Sequence, residues 1–159
     1  MFFLPSVELC REQFNTKFRF VIGENIYFPF QGVQWNMRVL NSESLQLSTM
    51  EVVNEDRDSC YANYHETIVV YNGKVYMWNH SKNILIEGVP EPGVFRWKIV
   101  KTIGYYALRS ETSFGYCSGA VSYLCMFGRD DTDGKYYLST LNLNTMIWAK
   151  QQTPLPDDE

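Results

Sequence analysis

The sequence predicts an all-β protein of about three four-stranded antiparallel units, and three observations carry that expectation. Aromatic residues make up 16% of the 159 residues, with eleven Tyr and ten Phe, and such side chains suit a pleated, half-buried surface. No stretch holds a helical hydrophobic period over two full turns, the segment 7–18 being the one weak candidate. The chain also repeats itself about every 50 residues. FRFVIGENIYF (18–28) lies over TIVVYNGKVYM (67–77), so that Val21 meets Val70, Ile26 meets Val75 and Tyr27 meets Tyr76.

Taken in order, the first unit places strands at about 17–22, 25–30, 35–40 and 45–53. The second places them at about 66–71, 74–78, 83–89 and 94–102. Its first hairpin turns at Asn72-Gly73, the strongest short-range hairpin signal, and its last at Pro90-Glu91-Pro92-Gly93. The third unit occupies about 114–119, 121–127, 135–141 and 146–152, with turns at Ser118-Gly119 and Asn144-Thr145. Closing halves repeat as well: Trp97 stands 51 residues before Trp148, and LNSESLQL (40–47) aligns with LNLNTMIW (141–148), Leu47 taking the Trp position. The organisation is then a lead-in at 1–16, units at 17–63, 64–111 and 112–153, and an unpacked acidic tail at 154–159.

Composition excludes several classes. A formal net charge of −4, with 20% charged residues, lacks the clustered basic excess of a nucleic-acid binder. MFFLPSVELCREQF carries no basic n-region and is too interrupted for a signal peptide or a membrane span. Cys10, Cys60, Cys117 and Cys125 form no Cys-x-x-Cys pair, and reduced thiols are expected. A cytoplasmic or nuclear location follows as the expectation, and there the acceptor-like Asn79-His80-Ser81 has no meaning.

Four-stranded repeats of this period are propeller blades. The chain resembles the kelch repeat family through His65, the run 67–71, the Asn72-Gly73 turn, Val75-Tyr76, and the third unit's Asn144-Thr145 with Trp148. RSETSF (109–114) resembles the Arg that precedes the family's first strand. The family's paired glycines after the second strand are missing: Phe30-Gln31 and Asn79-His80 stand there, and Gly128 alone survives in the third unit. The resemblance implies kelch-like β-propeller blades in an incomplete or open propeller, since kelch propellers close with more blades than three. Among relatives it is most similar to kelch-domain-containing adaptors, which implies substrate recognition for a cullin-RING ubiquitin ligase. Open sheet edges would also invite self-association.

No catalytic or cofactor signature appears. Two histidines without ligand spacing make no metal site, and no nucleophile elbow, zincin helix or phosphate loop is present. RDDTDGK (129–135) fails as a calcium loop, because Arg129 and Thr140 fall where the first and closing carboxylates belong. The chain therefore reads as a binding module rather than an enzyme, with no cofactor. Strand alternation gathers the loops at about 31–34, 54–65, 79–83, 103–113 and 128–134 on one face. They hold Arg57, Arg109, Arg129, Lys82 and His80, with the aromatics Trp35, Tyr61, Tyr64, Tyr105 and Tyr106. Arginine grips a carboxylate or phosphate with two parallel hydrogen bonds, and Tyr and Trp anchor interfaces. The candidate partner-binding residues are Arg57, Arg109, Arg129, Lys82, Tyr61, Tyr105, Tyr106 and Trp35, and the expected ligand is a protein or peptide with an anionic feature. The bland reading makes them ordinary loop residues, neutralised by Asp58, Glu111 and Asp130. A carbohydrate-binding β-domain that stacks sugars on exposed aromatics is the alternative.

Overall fold

The computed structural model describes residues 19–29, 36–55, 67–79, 82–105, 108–118 and 121–153. They are all-β, in twelve strands: β1 (Phe20–Ile22), β2 (Asn25–Pro29), β3 (Asn36–Asn41), β4 (Leu47–Asn54), β5 (Thr67–Tyr71), β6 (Lys74–Asn79), β7 (Ile84–Glu91), β8 (Val94–Val100), β9 (Arg109–Ser118), β10 (Val121–Arg129), β11 (Tyr136–Asn142) and β12 (Ile147–Gln152). Each strand pairs antiparallel with the next inside three meanders, β1–β4, β5–β8 and β9–β12. Strand positions follow the hydrophobic pattern closely, except that β9 starts five residues before the expected 114. A register shift between Phe127 and Gly128 accommodates the extra residue, so that Phe127 faces Thr112 while Gly128 faces Ser110.

The turns explain why the strands stop where they do. Asn72 and Gly73 take φ of 49° and 69°, both positive, and link the directly paired Tyr71 and Lys74. That is the primed two-residue loop whose twist matches the strands. The repeat is also visible atom by atom. Asn41 Oδ1 accepts the amides of Glu43 (3.1 Å) and Ser44 (2.8 Å), and Asn142 Oδ1 accepts those of Asn144 (2.8 Å) and Thr145 (3.2 Å). Each loop then ends on a left-handed residue, Leu45 at 56° and Met146 at 58°, whose amide returns to the same Asn carbonyl. Local side-chain bonds of this kind define Asx turns.

Separate units with open edges are the expectation from sequence; the first two meanders instead share a sheet. β4 pairs parallel with β8, from Glu51 opposite Val94 to Asn54 opposite Trp97. The resulting eight-stranded sheet runs β1-β2-β3-β4-β8-β7-β6-β5 and curls until β1 approaches β5, a nearly closed barrel. Backbone amides and carbonyls along an edge need partners, and here two edges satisfy one another. The third meander is a separate sheet, β12-β11-β10-β9, whose β9 and β10 lie against β5.

Two cores follow from strand alternation. Phe20, Tyr27, Met37 and Val39 of the first meander pack on Val75, Met77, Ile86, Phe95 and Trp97 of the second. The opposite side of the second meander offers Val69, Tyr76, Trp78 and Leu85 to Leu124, Met126, Leu141, Leu143 and Trp148 of the third. β6 is consequently buried on both faces. Trp148, expected from its repeat position to fill space between units, is 4% exposed, with its ring 5.0 Å from that of Trp78. Gly88 sits directly opposite Trp97, and a Cβ there would lie 2.4 Å from the indole and 2.7 Å from Phe95. The two rings cross over a strand that must present no side chain.

Gly88→Ala should therefore cost about 1–3 kcal/mol by overpacking, read as a lower chemical-denaturation midpoint. Gly73→Val should also lower thermal stability, because a β-branched residue resists the positive φ of the turn. Trp148→Ala should cost about 3–5 kcal/mol. A wild-type melting temperature in the Gly73 variant would exclude the primed turn.

Candidate functional site

The end of the sheets where β6 meets β7, and β10 meets β11, gathers the polar loop residues that the structure describes. β9 and β10 bring two predicted residues together. Arg129 is the direct cross-strand partner of Arg109, and both are exposed. Side chains directly opposite on an antiparallel pair have Cβ atoms about 4.5–5.5 Å apart, and like charges so placed repel. The strand-end register thus starts two arginine side chains from neighbouring positions on one face.

The acids of the 129–135 loop are engaged elsewhere. Asp130 is committed elsewhere: Lys150 Nζ donates to its Oδ2, and its Oδ1 accepts the amide (2.8 Å) and hydroxyl (2.6 Å) of Thr132. Those bonds, the Lys150 one foremost, hold the Asp130 carboxyl far below the ordinary carboxylate range. Lys150 in turn sits 3.8 Å above the Tyr137 ring. Asp133 accepts the Tyr137 hydroxyl at 2.6 Å and the Lys135 amide at 2.9 Å, which lowers its pKa and raises that of Tyr137. Arg129 spends one donor on its own loop, Nε to the Gly134 carbonyl at 2.9 Å. Among the described residues no carboxylate lies within ion-pair distance of Arg109 or Arg129. The local neutralisation of Arg129 by Asp130 allowed by the sequence is therefore corrected: Lys150, 20 residues along the chain, takes the carboxylate. The loop 129–135 is a self-contained turn, and no group of three or more metal-ligating side chains occurs among the described residues.

The remaining predicted residues separate. Lys82 is exposed in the β6–β7 turn, where its amide donates to the buried Asn79 Oδ1 at 3.0 Å. Tyr105 is half-buried rather than displayed: its ring lies 4.8 Å from Trp78 and 5.4 Å from Trp148, and its hydroxyl donates to Asn83 at 2.9 Å. Its task is to hold the 101–105 segment against the third meander, helped by the parallel bridge between Ile103 and Ile147. Arg57, Tyr61, Tyr106 and Trp35 lie outside the described residues, as do His65 and His80. Tyr136, the next residue across from Arg129 on β11, stacks on Phe127 with ring centroids 5.5 Å apart and planes 18° apart. Neither aromatic is among the predicted binding residues, and the strand alternation that puts Phe127 on the face of Arg129 could have named it.

A second polar centre escaped the sequence altogether. Glu87 is 4% exposed on β7, directly opposite Tyr76 and Lys98. Its Oε2 accepts the Tyr76 hydroxyl at 2.9 Å and Lys74 Nζ at 3.1 Å, and Lys98 Nζ lies 2.9 Å from its Oε1. Burial alone would raise its pKa, but the bonds from Lys98, Tyr76 and Lys74 outweigh burial and hold it below the ordinary 4.5. Tyr76 is pushed far above the usual phenol value, by burial first and then by Glu87. With both lysines half in water, this cluster is a structural clamp across three strands. The one sizeable groove described, about 540 Å³, opens at the β1–β5 seam between Arg19, Phe20, Val21, Ile26, Phe28, Ile68 and Val70. Apart from Arg19 its walls are apolar, without the convergent polar groups of a reaction site. Cys125 is a buried free thiol, its pKa raised by burial, and no helix among the described residues is long and apolar enough to cross a membrane.

The depressed carboxyls fix the sign of the acid response. A group whose folded pKa lies below its unfolded one stabilises the fold above the unfolded value, and that stabilisation is lost as pH falls through the folded one. Stability should hold near neutrality and fall below about pH 5, as Glu87, Asp130 and Asp133 take up protons. Glu87→Gln should cost roughly 1–3 kcal/mol near neutral pH and shrink the acid-dependent loss, measured by thermal melts across pH. An unaltered pH profile in that variant would remove Glu87 from the account.

No family model and no curated protein matches the chain, so the geometry of these residues has to carry the functional reading.

Proposed function

We propose that the chain is a protein-interaction module of kelch type, whose loop-end arginines capture an anionic feature of a protein or peptide partner. The single observation that carries this is the Arg109–Arg129 pair, held in direct register with no described carboxylate to neutralise it. Two arginines on neighbouring cross-strand positions can bind one carboxylate or phosphate by charge-assisted hydrogen bonds, and the bound anion relieves their mutual repulsion. The Phe127–Tyr136 stack beside them supplies the aromatic surface that interfaces favour. Lys82 adds positive charge at the same end of the sheets, and Arg57, Tyr61, Tyr106 and Trp35, proposed from the sequence as partner-binding residues, lie outside the described residues.

Three consecutive meanders, the first and third closing on equivalent Asx turns, support the kelch reading, in which each meander corresponds to one blade. In the adaptor role that the kelch resemblance implies, the captured protein is a substrate of a cullin-RING ubiquitin ligase in the cytoplasm or nucleus, and no catalysis or cofactor is involved.

Arg109→Ala and Arg129→Ala should each abolish capture of a partner in an affinity pull-down, with circular dichroism unchanged. Removing one side of a desolvated, hydrogen-bonded charge pair costs about 2–5 kcal/mol, whereas an exposed ion pair is worth about 0–1 kcal/mol. Retention of every partner by both folded variants would show that these arginines merely solvate the loops.

A further inference from the structure

Each later meander buries one face on the meander before it, and the buried rows are equivalent in register. In the second meander, Val75, Gly88 and Trp97 are directly paired neighbours across β6, β7 and β8, and this row lies over the first meander's core residues. In the third, Leu124, Leu141 and Trp148 are paired in the same way across β10, β11 and β12, and they lie over the second. The corresponding row of the first meander is Ile26, Leu40 and Leu47, paired across β2, β3 and β4. Ile26 and Leu40 are half-buried, Leu47 is 47% exposed, and Val21 beside Ile26 is 53% exposed.

The receiving faces correspond as well. Trp78 and Leu85, directly paired on the second meander, are fully buried under the third. Their counterparts on the third are Phe127 and Leu138, also directly paired but only half-buried, with Ile147 on the same face 48% exposed. The described residues therefore present two unlike apolar faces, one of the type that docks and one of the type that receives.

We infer that these two faces are the halves of one heterologous interface and that its occupant is a second copy of this chain. Inside the molecule, a row with the register of Ile26, Leu40 and Leu47 is already buried twice against a face like that of Phe127 and Leu138. A second copy would repeat the face-to-face packing of the third meander, a separate sheet, on the second. Repeats that cannot bury their faces alone are stabilised by such stacking. The groove at the β1–β5 seam, lined partly by Val21 and Ile26, offers a recess next to the docking row for a ring such as Phe127. Heterologous contacts make rings where the rotation closes, and two copies closing head to tail use both faces of each. Phe127 also borders the proposed partner surface, so Leu47→Lys and Ile147→Lys, at residues outside that surface, are the variants that report self-association separately from partner capture.

The test is the mass of the intact chain in solution, by light scattering and sedimentation at micromolar and higher concentrations. Wild type should run at twice the chain mass or more, and Leu47→Lys should run as a monomer. Phe127→Glu should do the same, and Ile147→Lys serves as a second receiving-face variant should Phe127→Glu lose its circular dichroism signature. Mixing Leu47→Lys with a folded receiving-face variant should restore a dimer, because each copy keeps the face the other lacks. A monomeric wild type overturns the inference. Failure of the mixed variants to re-associate overturns the head-to-tail arrangement, and a dimer retained by one single variant points instead to like faces paired with themselves.

Discussion

The rest of the structure depends on the burial of one large side chain in each of the second and third meanders, Trp97 and Trp148. A four-stranded meander alone leaves both faces in water, and three strands or more need a packed apolar face to be stable. Trp97 meets that need by crossing Gly88 into the core of Phe20, Tyr27 and Phe95, with ring centroids 4.9 Å from Phe95 and 6.3 Å from Phe20. Trp148 does it against Trp78 and Tyr105. Aromatic pairs in such geometries add about 0.5–1.5 kcal/mol beyond their buried area. The order of meanders along the chain becomes their order in space because each Trp finds its socket on the preceding meander.

That stacking forces polar groups into the middle meander, and it explains Glu87. β6 and β7 are covered on both faces, so the carboxylate at the β7 position facing Tyr76 cannot reach water freely. Lys74 and Lys98 approach it from flanking strands, and the Tyr76 hydroxyl closes the set. Such a cluster gives little net stability compared with an apolar replacement, but it penalises any slip of register that would strand the charge. The Trp78 indole nitrogen, buried without a described partner, is a smaller residue of the same compromise.

The loop end obeys a different rule. There the backbone fixes like charges together and sends the nearby acids to other partners, Asp130 to Lys150 and Asp133 to Tyr137. Conflict between a local preference and the global fold is commonest where function resides. The bulge on β9 is what places Arg109 opposite Arg129, and a bulge is a device for re-aiming side chains near a site.

Strands, turns and the buried Trp positions were legible in the sequence because they rest on interactions within a few residues. Alternation gave the faces, Asn72-Gly73 fixed the positive φ of its hairpin, and Asn41 and Asn142 bond amides two and three residues ahead. The candidate site was legible only as a set of arginines sharing one loop face. Their direct pairing, the diversion of Asp130 to a lysine on β12, and the packing of Tyr105 into an aromatic cluster all needed tertiary contacts. The parallel pairing of β4 with β8 belongs with them, since it joins residues 43 apart in sequence, Glu51 and Val94 among them. An edge strand announces in its sequence that it needs a partner, but the partner is chosen by the curvature of the whole sheet, which no single segment encodes.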